Sequence, residues 1–208
     1  MRQSAADRRA ERRGAIGSSV AALALIIVFL IVSHGLALDV TFVPAMVLAL
    51  ALHLWTTNRR PPDPERVLPV YLVAVAWQLL HFTEEFVTGF GWRWPVQIFH
   101  AEPYSPSAYL AINMISAFGF IMGGLAIYRG WRVPLIIVWF FAIMGTVGNA
   151  IGHVVWCAIV RGYFPGLWTS LGYWVLGPIL IKRLLESRAH SRATVPRIAP
   201  AGALEGGW

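Results

Sequence analysis

The chain has 208 residues, of which 57% are hydrophobic and only 13% charged, with a mean hydropathy of +0.61. A soluble domain carries about a quarter charged residues, so this composition excludes one and predicts a polytopic membrane protein. The net charge of +7 comes from basic residues scattered through short loops and tails without a reading module, which excludes nucleic acid as a partner and leaves membrane topology as the reason for the charge.

Residues 1–14 are polar and arginine-rich (Arg2, Arg8, Arg9, Arg12, Arg13) and are expected to form a disordered basic cytoplasmic segment. An apolar run over 16–36 is long enough to span a bilayer. A cleaved signal peptide is the competing reading of this start. A turn around Asp39 leads to a second span, 40–57, which ends at Asn58-Arg59-Arg60-Pro61-Pro62-Asp63-Pro64, where three prolines and the charges forbid a continuing helix. The third span covers 67–90. Residues 89–105 are rich in Gly, Pro and Trp, with Trp92 and Trp94 flanking Arg93 in the manner of an interfacial belt. A fourth span, 106–128, contains Gly119 and Gly123, a small-xxx-small pair that predicts close helix contact. The fifth span, 133–160, contains Cys157, which is the only cysteine and has no partner for an internal disulfide. The sixth, 166–181, precedes a tail whose end, 187–208, is expected to be disordered.

Cytoplasmic loops should hold the Lys and Arg. With the N-terminus inside, the inner side collects five in the first segment, three between spans two and three, two between four and five and five in the tail, leaving only Arg93 and Arg161 outside. The expected fold is therefore all-α: a transmembrane bundle of six spans over residues 15–186, both termini cytoplasmic, multi-pass in the inner cell membrane. The same asymmetry disfavours removal of the first segment.

Within span three, His81-Phe82-Thr83-Glu84-Glu85 places three ionisable side chains in an apolar helix. Each costs roughly 2.5–3.5 kcal/mol near the middle of a lipid-facing helix, so such residues usually face the bundle interior and act there. At 100° per residue, Trp77, Gln78, His81, Glu84, Glu85 and Thr88 fall within about 60° of one direction, leaving Leu79, Leu80, Phe82, Phe86 and Val87 for lipid. By helical rise, His81 and Glu85 lie roughly 10–16 Å below the outer surface, Asn149 and His153 of span five roughly 12–18 Å, and Asn113, Thr169 and Tyr173 roughly 5–15 Å. Asn149, His153 and Cys157 share one face at i, i+4, i+8, as do Tyr109 with Asn113 and Thr169 with Tyr173. Four helices thus bring polar groups to one layer in the outer half of the bilayer. His53 lies near the inner end of span two, where an interfacial or satisfied core role is expected; His34 is read as an interface marker.

Three motifs, His81-Phe82-Thr83-Glu84-Glu85, Asn149-Ala150-Ile151-Gly152-His153 and Pro165-Gly166-Leu167-Trp168-Thr169, occur in the order found in the HXXEE family of bacterial integral membrane proteins, which the chain resembles over about 70–180. The resemblance implies a membrane-embedded enzyme and supplies no substrate.

The chemistry these residues allow stays open between two forms. Two adjacent glutamates in lipid hold at most one negative charge easily, which favours a proton donor beside an acceptor, with His81 and His153 as relays. Alternatively His81, His153 and one or both of Glu84 and Glu85 hold one divalent metal, zinc or iron. Glu84 and Glu85 are the only acids within spans, too few for a di-iron site, and no serine-hydrolase or nucleotide fingerprint occurs in a credible context. The catalytic candidates are His81, Glu84, Glu85, Asn149 and His153, with Asn149 orienting His153 or a substrate oxygen. The substrate-contacting candidates are Trp77, Gln78, Asn113, Pro165, Gly166, Thr169 and Tyr173. Pro165-Gly166 should start span six with free N–H groups facing the layer. The expected partners are the bilayer and a hydrophobic small molecule. Two other readings compete: a proton-coupled carrier or lipid-binding protein, and a structural network in which these polar groups merely satisfy one another.

Overall fold

A computed structural model describes residues 4–190, and among them every regular element is helical. Five helices are long and apolar enough to cross a membrane. The first, α1 (Ala5–Val32), starts well before the expected span, since Ser4 caps it by accepting from the Asp7 N–H at 3.1 Å. The basic stretch expected to be disordered is therefore helical from Ala5, a correction that follows from a good N-cap and an acidic first turn. Next come α2 (Ala37–Trp55) and α3 (Pro64–Thr88). Asp63 caps α3, Pro64 takes its first position, and Gly89 closes it at φ +82°.

A short helix α4 (Phe90–Arg93) and a wider π-helical turn (Trp94–Ile98) follow, then α5 (Pro106–Arg129), capped by Ser105. Here the interfacial-belt reading needs correction: Trp92 is exposed, but Trp94 is buried and stacks on Phe90 at 5.2 Å. Helix α6 (Leu135–Phe140), a π-helical stretch (Phe141–Gly148) and α7 (Asn149–Val160) form one continuous rod. This rod is the innermost element, with Leu135, Ile136, Val138, Trp139, Phe141 and Ala142 almost wholly enclosed. It packs on α2, α5 and the last helix, while α1 lies at the edge against α2.

The region expected as span six is split. Helix α8 (Leu167–Ser170) is followed by a turn and α9 (Tyr173–His190). The turn falls where Gly172 meets Trp77, whose indole atoms would lie 2.6–2.7 Å from any Cβ added there. Because α9 runs on through Lys182, Arg183 and Glu186, it is not among the five apolar helices. Residues 191–208, most of the expected tail, lie outside the described residues.

Two apolar clusters organise the interior. One, around Met46, Tyr71, Trp139, Phe141 and Leu180, fills the middle. The other, around Phe90, Trp94, Tyr104, Trp156 and Phe164, closes one end. Of the small pair on α5, only Gly123 makes a tight contact, where Tyr71 leans over it to donate to the Phe120 carbonyl; Gly119 faces open space. The exterior of the long helices is apolar, with Val20, Ile31, Val87, Ile115 and Phe118 each more than 60% exposed. In water such a continuous apolar surface would aggregate; against lipid tails it is the stable arrangement.

Candidate active site

The motif residues meet between α3, α7 and the segment from Arg161 to Tyr173. His81 and Glu85, one turn apart on α3, face inward together, and His153 of α7 reaches the same point. Both imidazoles are fully enclosed and Glu85 is 5% exposed. The Nε2 atoms of His81 and His153 each lie 3.3 Å from the same carboxylate oxygen, Glu85 Oε1. The other oxygen, Oε2, accepts from the Tyr109 hydroxyl at 2.8 Å. Aromatic rings wall the group: His153 packs against Phe90 and Trp156, at ring separations of 5.4 and 4.9 Å, and His81 against Tyr173 at 5.4 Å. His81, Glu85 and His153 are a set that could hold a metal ion, their donor atoms all within 4.8 Å of one another.

Glu84 goes elsewhere. It points at α8, where Oε1 accepts from Tyr163 Oη at 2.9 Å and the Trp168 N–H at 3.1 Å. Oε2 accepts from the Thr169 N–H at 2.8 Å and the Thr169 hydroxyl at 2.6 Å. The free N–H groups expected at Pro165-Gly166-Leu167-Trp168-Thr169 thus exist, and the anion they take is the chain's own Glu84. This corrects the reading of Glu84 as a metal ligand: adjacent residues diverge by 100° around a helix, so the two carboxylates find different neighbours. Burial, and then the bond to Glu84, raise the Tyr163 hydroxyl above its ordinary range and keep it a donor.

The third motif surrounds the centre with acceptors. His153 Nδ1 donates to the Pro165 carbonyl at 2.7 Å, and His81 Nδ1 lies 2.7 Å from the Thr169 hydroxyl. Gly166 adopts φ +85° and sits so close that a Cβ would lie 2.3 Å from His153 Cε1 and 3.0 Å from Glu85 Cγ. Only glycine satisfies both the backbone angle and the contact.

Other predicted residues satisfy one another nearby. Trp77 Nε1 donates to the Thr169 carbonyl at 2.8 Å, and the buried Tyr173 hydroxyl donates to Gln78 Oε1. Asn113 is buried, but its amide donates to its own helix at Tyr109 O. Asn149 likewise donates to Gly145 O at 3.2 Å. The expectation that Asn149 orients His153 is therefore replaced, the orienting group being the Pro165 carbonyl. Sequence reasoning placed Tyr109 on the Asn113 face without counting it among the site residues, and passed over Tyr163, which lies in a loop and had no signal.

His53 lies outside this group. It is fully buried in a polar chain of its own, with Ser18 at 2.9 Å on Nε2 and Thr57 at 2.7 Å on Nδ1, and Trp139 donates to Thr57 in turn. That is the satisfied core histidine expected. His34 stacks on Tyr104 and meets the Glu102 carbonyl, tying α1 to the loop before α5.

Fold and centre define a class: a protein whose described residues form only helices, five of them apolar enough to cross a membrane, with a buried His–Glu–His group. The model of a family described as proteins of unknown function with an HXXEE motif matches residues 72–181, more than half of the chain, and the chain belongs to that family. No curated protein and no solved structure matches it.

Proposed function

We propose that this protein is a membrane-embedded enzyme that converts a hydrophobic, lipid-like or isoprenoid-like substrate at the His81, Glu85 and His153 centre, by acid–base or metal-assisted chemistry. The observation that carries the reading is an incompletely satisfied polar group kept in an apolar interior. His81 Nε2 and His153 Nε2 are both enclosed and share one acceptor, Glu85 Oε1, at 3.3 Å each, longer than a well-made hydrogen bond, and neither closes one of good geometry. A purely structural network would be expected to close such bonds, because an unmade bond on a buried polar atom costs about 1–3 kcal/mol. Imidazole nitrogens turned on one shared carboxylate oxygen without a closed hydrogen bond suit a centre that engages a further group.

The wider frame is a bundle of six spans, α8 and α9 together forming the last, with both termini cytoplasmic in the inner cell membrane. The basic residues support this topology, since only Arg93 and Arg161 fall on the opposite side. In that frame the centre occupies the outer half of the bilayer. The substrate is then a molecule that partitions into lipid, because the surrounding walls are Phe, Trp and Tyr.

The test is comparative lipid analysis of membranes from cells producing the wild type, Glu85→Gln or His153→Gln, with each protein checked for folding in detergent. A pair of lipids whose ratio changes with the wild type and not with the folded variants is expected. Lipid profiles identical among wild type, variants and empty cells would overturn the enzyme reading.

A further inference from the structure

We infer that His81 Nε2, Glu85 Oε1 and His153 Nε2 are the three protein ligands of one divalent first-row transition-metal ion, and that Pro165 and Thr169 fix both imidazoles in the ligating tautomer. The inference rests on the centre chosen above and names what it holds.

The argument is an accounting of protons. A carbonyl oxygen only accepts, so the 2.7 Å contact between His153 Nδ1 and the Pro165 carbonyl requires the proton on Nδ1. For His81 the chain of reasoning is one bond longer. Glu84 receives four donors, two on each oxygen, which leaves no room for a proton of its own and makes it a carboxylate. The single hydroxyl proton of Thr169 is committed to Glu84 Oε2 at 2.6 Å. The same hydroxyl, 2.7 Å from His81 Nδ1, must therefore accept there, and His81 too carries its proton on Nδ1.

Two neutral imidazoles in this state both turn an Nε2 lone pair toward Glu85 Oε1. Three electron-pair donors then face one another in an enclosed apolar space, a repulsion that either a proton on Nε2 or Oε1 or a metal ion among them relieves, and metal binding tells the two apart. The spacing suits a metal ion. Zinc–nitrogen bonds are about 2.0–2.1 Å, so adjacent donors of a tetrahedral ion sit about 3.3 Å apart; both imidazole-to-carboxylate separations are 3.3 Å, and the two imidazole donors, within 4.8 Å of each other, would draw together around the ion. Tyr109 holds Glu85 Oε2, which leaves Oε1 for the ion. Two imidazoles and one carboxylate match zinc hydrolases and mononuclear non-haem iron enzymes, in which three protein ligands leave coordination positions for water or substrate. Sulfur takes no part: Cys157 Sγ accepts from the Phe164 N–H, away from the group.

The three motifs thereby acquire separate physical roles. The His and second Glu of the first motif are ligands, and so is the His of the second. The Pro carbonyl and Thr hydroxyl of the third orient those ligands, Gly166 lets the backbone approach, and Glu84 is a positioning residue acting on His81 through Thr169. Outer partners of this kind are worth 10–100-fold in metal affinity.

The test uses detergent-purified full-length protein, with zinc and cobalt(II) as probes. Elemental analysis should find about one equivalent of zinc or iron, and X-ray absorption at the bound metal should show two imidazoles with oxygen and no sulfur. His81→Ala and His153→Ala should lose the metal. Thr169→Val should weaken zinc affinity about 10–100-fold, and Thr169→Ser should restore it, a rescue that general damage to packing would not give. Folded wild type that neither retains metal nor binds zinc or cobalt overturns the inference, as does bound metal without imidazole ligands. If the protein binds no metal and still converts the lipid identified above, the metal inference falls and the enzyme reading stands. If metal is bound as described but no lipid changes, the site stands and the enzyme reading falls.

Discussion

At the scale of single residues, the centre depends on contacts that conservative replacements would break. Tyr109→Phe removes only the hydroxyl that holds Glu85 Oε2. A buried carboxylate oxygen loses its donor, a loss of about 1–3 kcal/mol that should appear as a lower unfolding temperature in detergent. Gly166→Ala is more severe. The new methyl would lie 2.3 Å from His153 Cε1 while the backbone stays at φ +85°; the backbone strain alone costs about 1–3 kcal/mol. Thermal unfolding of this variant should show a larger loss than Tyr109→Phe, and a variant as stable as wild type would contradict the tight packing of the third motif on His153. These positions also show what was legible beforehand. That His81, Glu85 and His153 would meet followed from the expense of ionisable groups in lipid and from helical spacing. That Glu84 would part from Glu85 did not, because adjacent residues share a depth and differ only in azimuth, and azimuth has meaning only once the neighbouring helix is known. The Pro165 carbonyl was illegible for another reason, being a backbone atom that no side-chain pattern announces.

At the scale of elements, α8 is attached to α3 chiefly through Glu84, which gathers Tyr163, Trp168 and Thr169. A segment of four helical residues has little stability of its own, so its order depends on that anchor. Glu84→Ala should raise amide hydrogen exchange at Trp168 and Thr169 well above the wild type while leaving the middle of α3 protected. Unchanged protection would mean that packing of Leu167 and Ser170 suffices. His53 supplies the contrast, since its partners lie on α1 and just past the end of α2, and Trp139 of α6 joins through Thr57. His53→Leu should lower stability by about 1–3 kcal/mol through the orphaned Ser18 hydroxyl and a Thr57 hydroxyl left with Trp139 alone, without altering metal content or any lipid conversion by the folded protein. The long helices themselves were largely readable from apolar length, proline and glycine. The break at Leu171-Gly172 was not, because it answers to the indole of Trp77 on another helix. Nor was the helical start at Ala5, where capping outweighs a polar composition suggestive of disorder.

At the scale of the whole molecule, the number of bilayer crossings decides which side each end of the chain lies on. Five helices qualify by length and apolarity; α8 and α9 together could supply a sixth crossing even though α9 ends in charge. The two counts differ in the side on which they put the end of α9. With six crossings both ends share one side, and the arginines of α1 and the basic residues of α9 then lie together, where anionic lipid and the positive-inside bias favour them. With five, Lys182 and Arg183 would sit across the membrane from Arg8 and Arg12, against that bias. A further consequence concerns the centre: Thr169 and Tyr173 lie level with His81 through direct contacts, so the chain must descend from that level along α9. About ten residues of α9 at 1.5 Å each cover roughly 15 Å, half of the hydrocarbon thickness, before its charged turns begin. Reporter fusions to each terminus, one active only in the cytoplasm and one only outside it, should both report the cytoplasm. Opposite reports from the two ends would reduce the count to five and move the polar tail of α9 to the outer face.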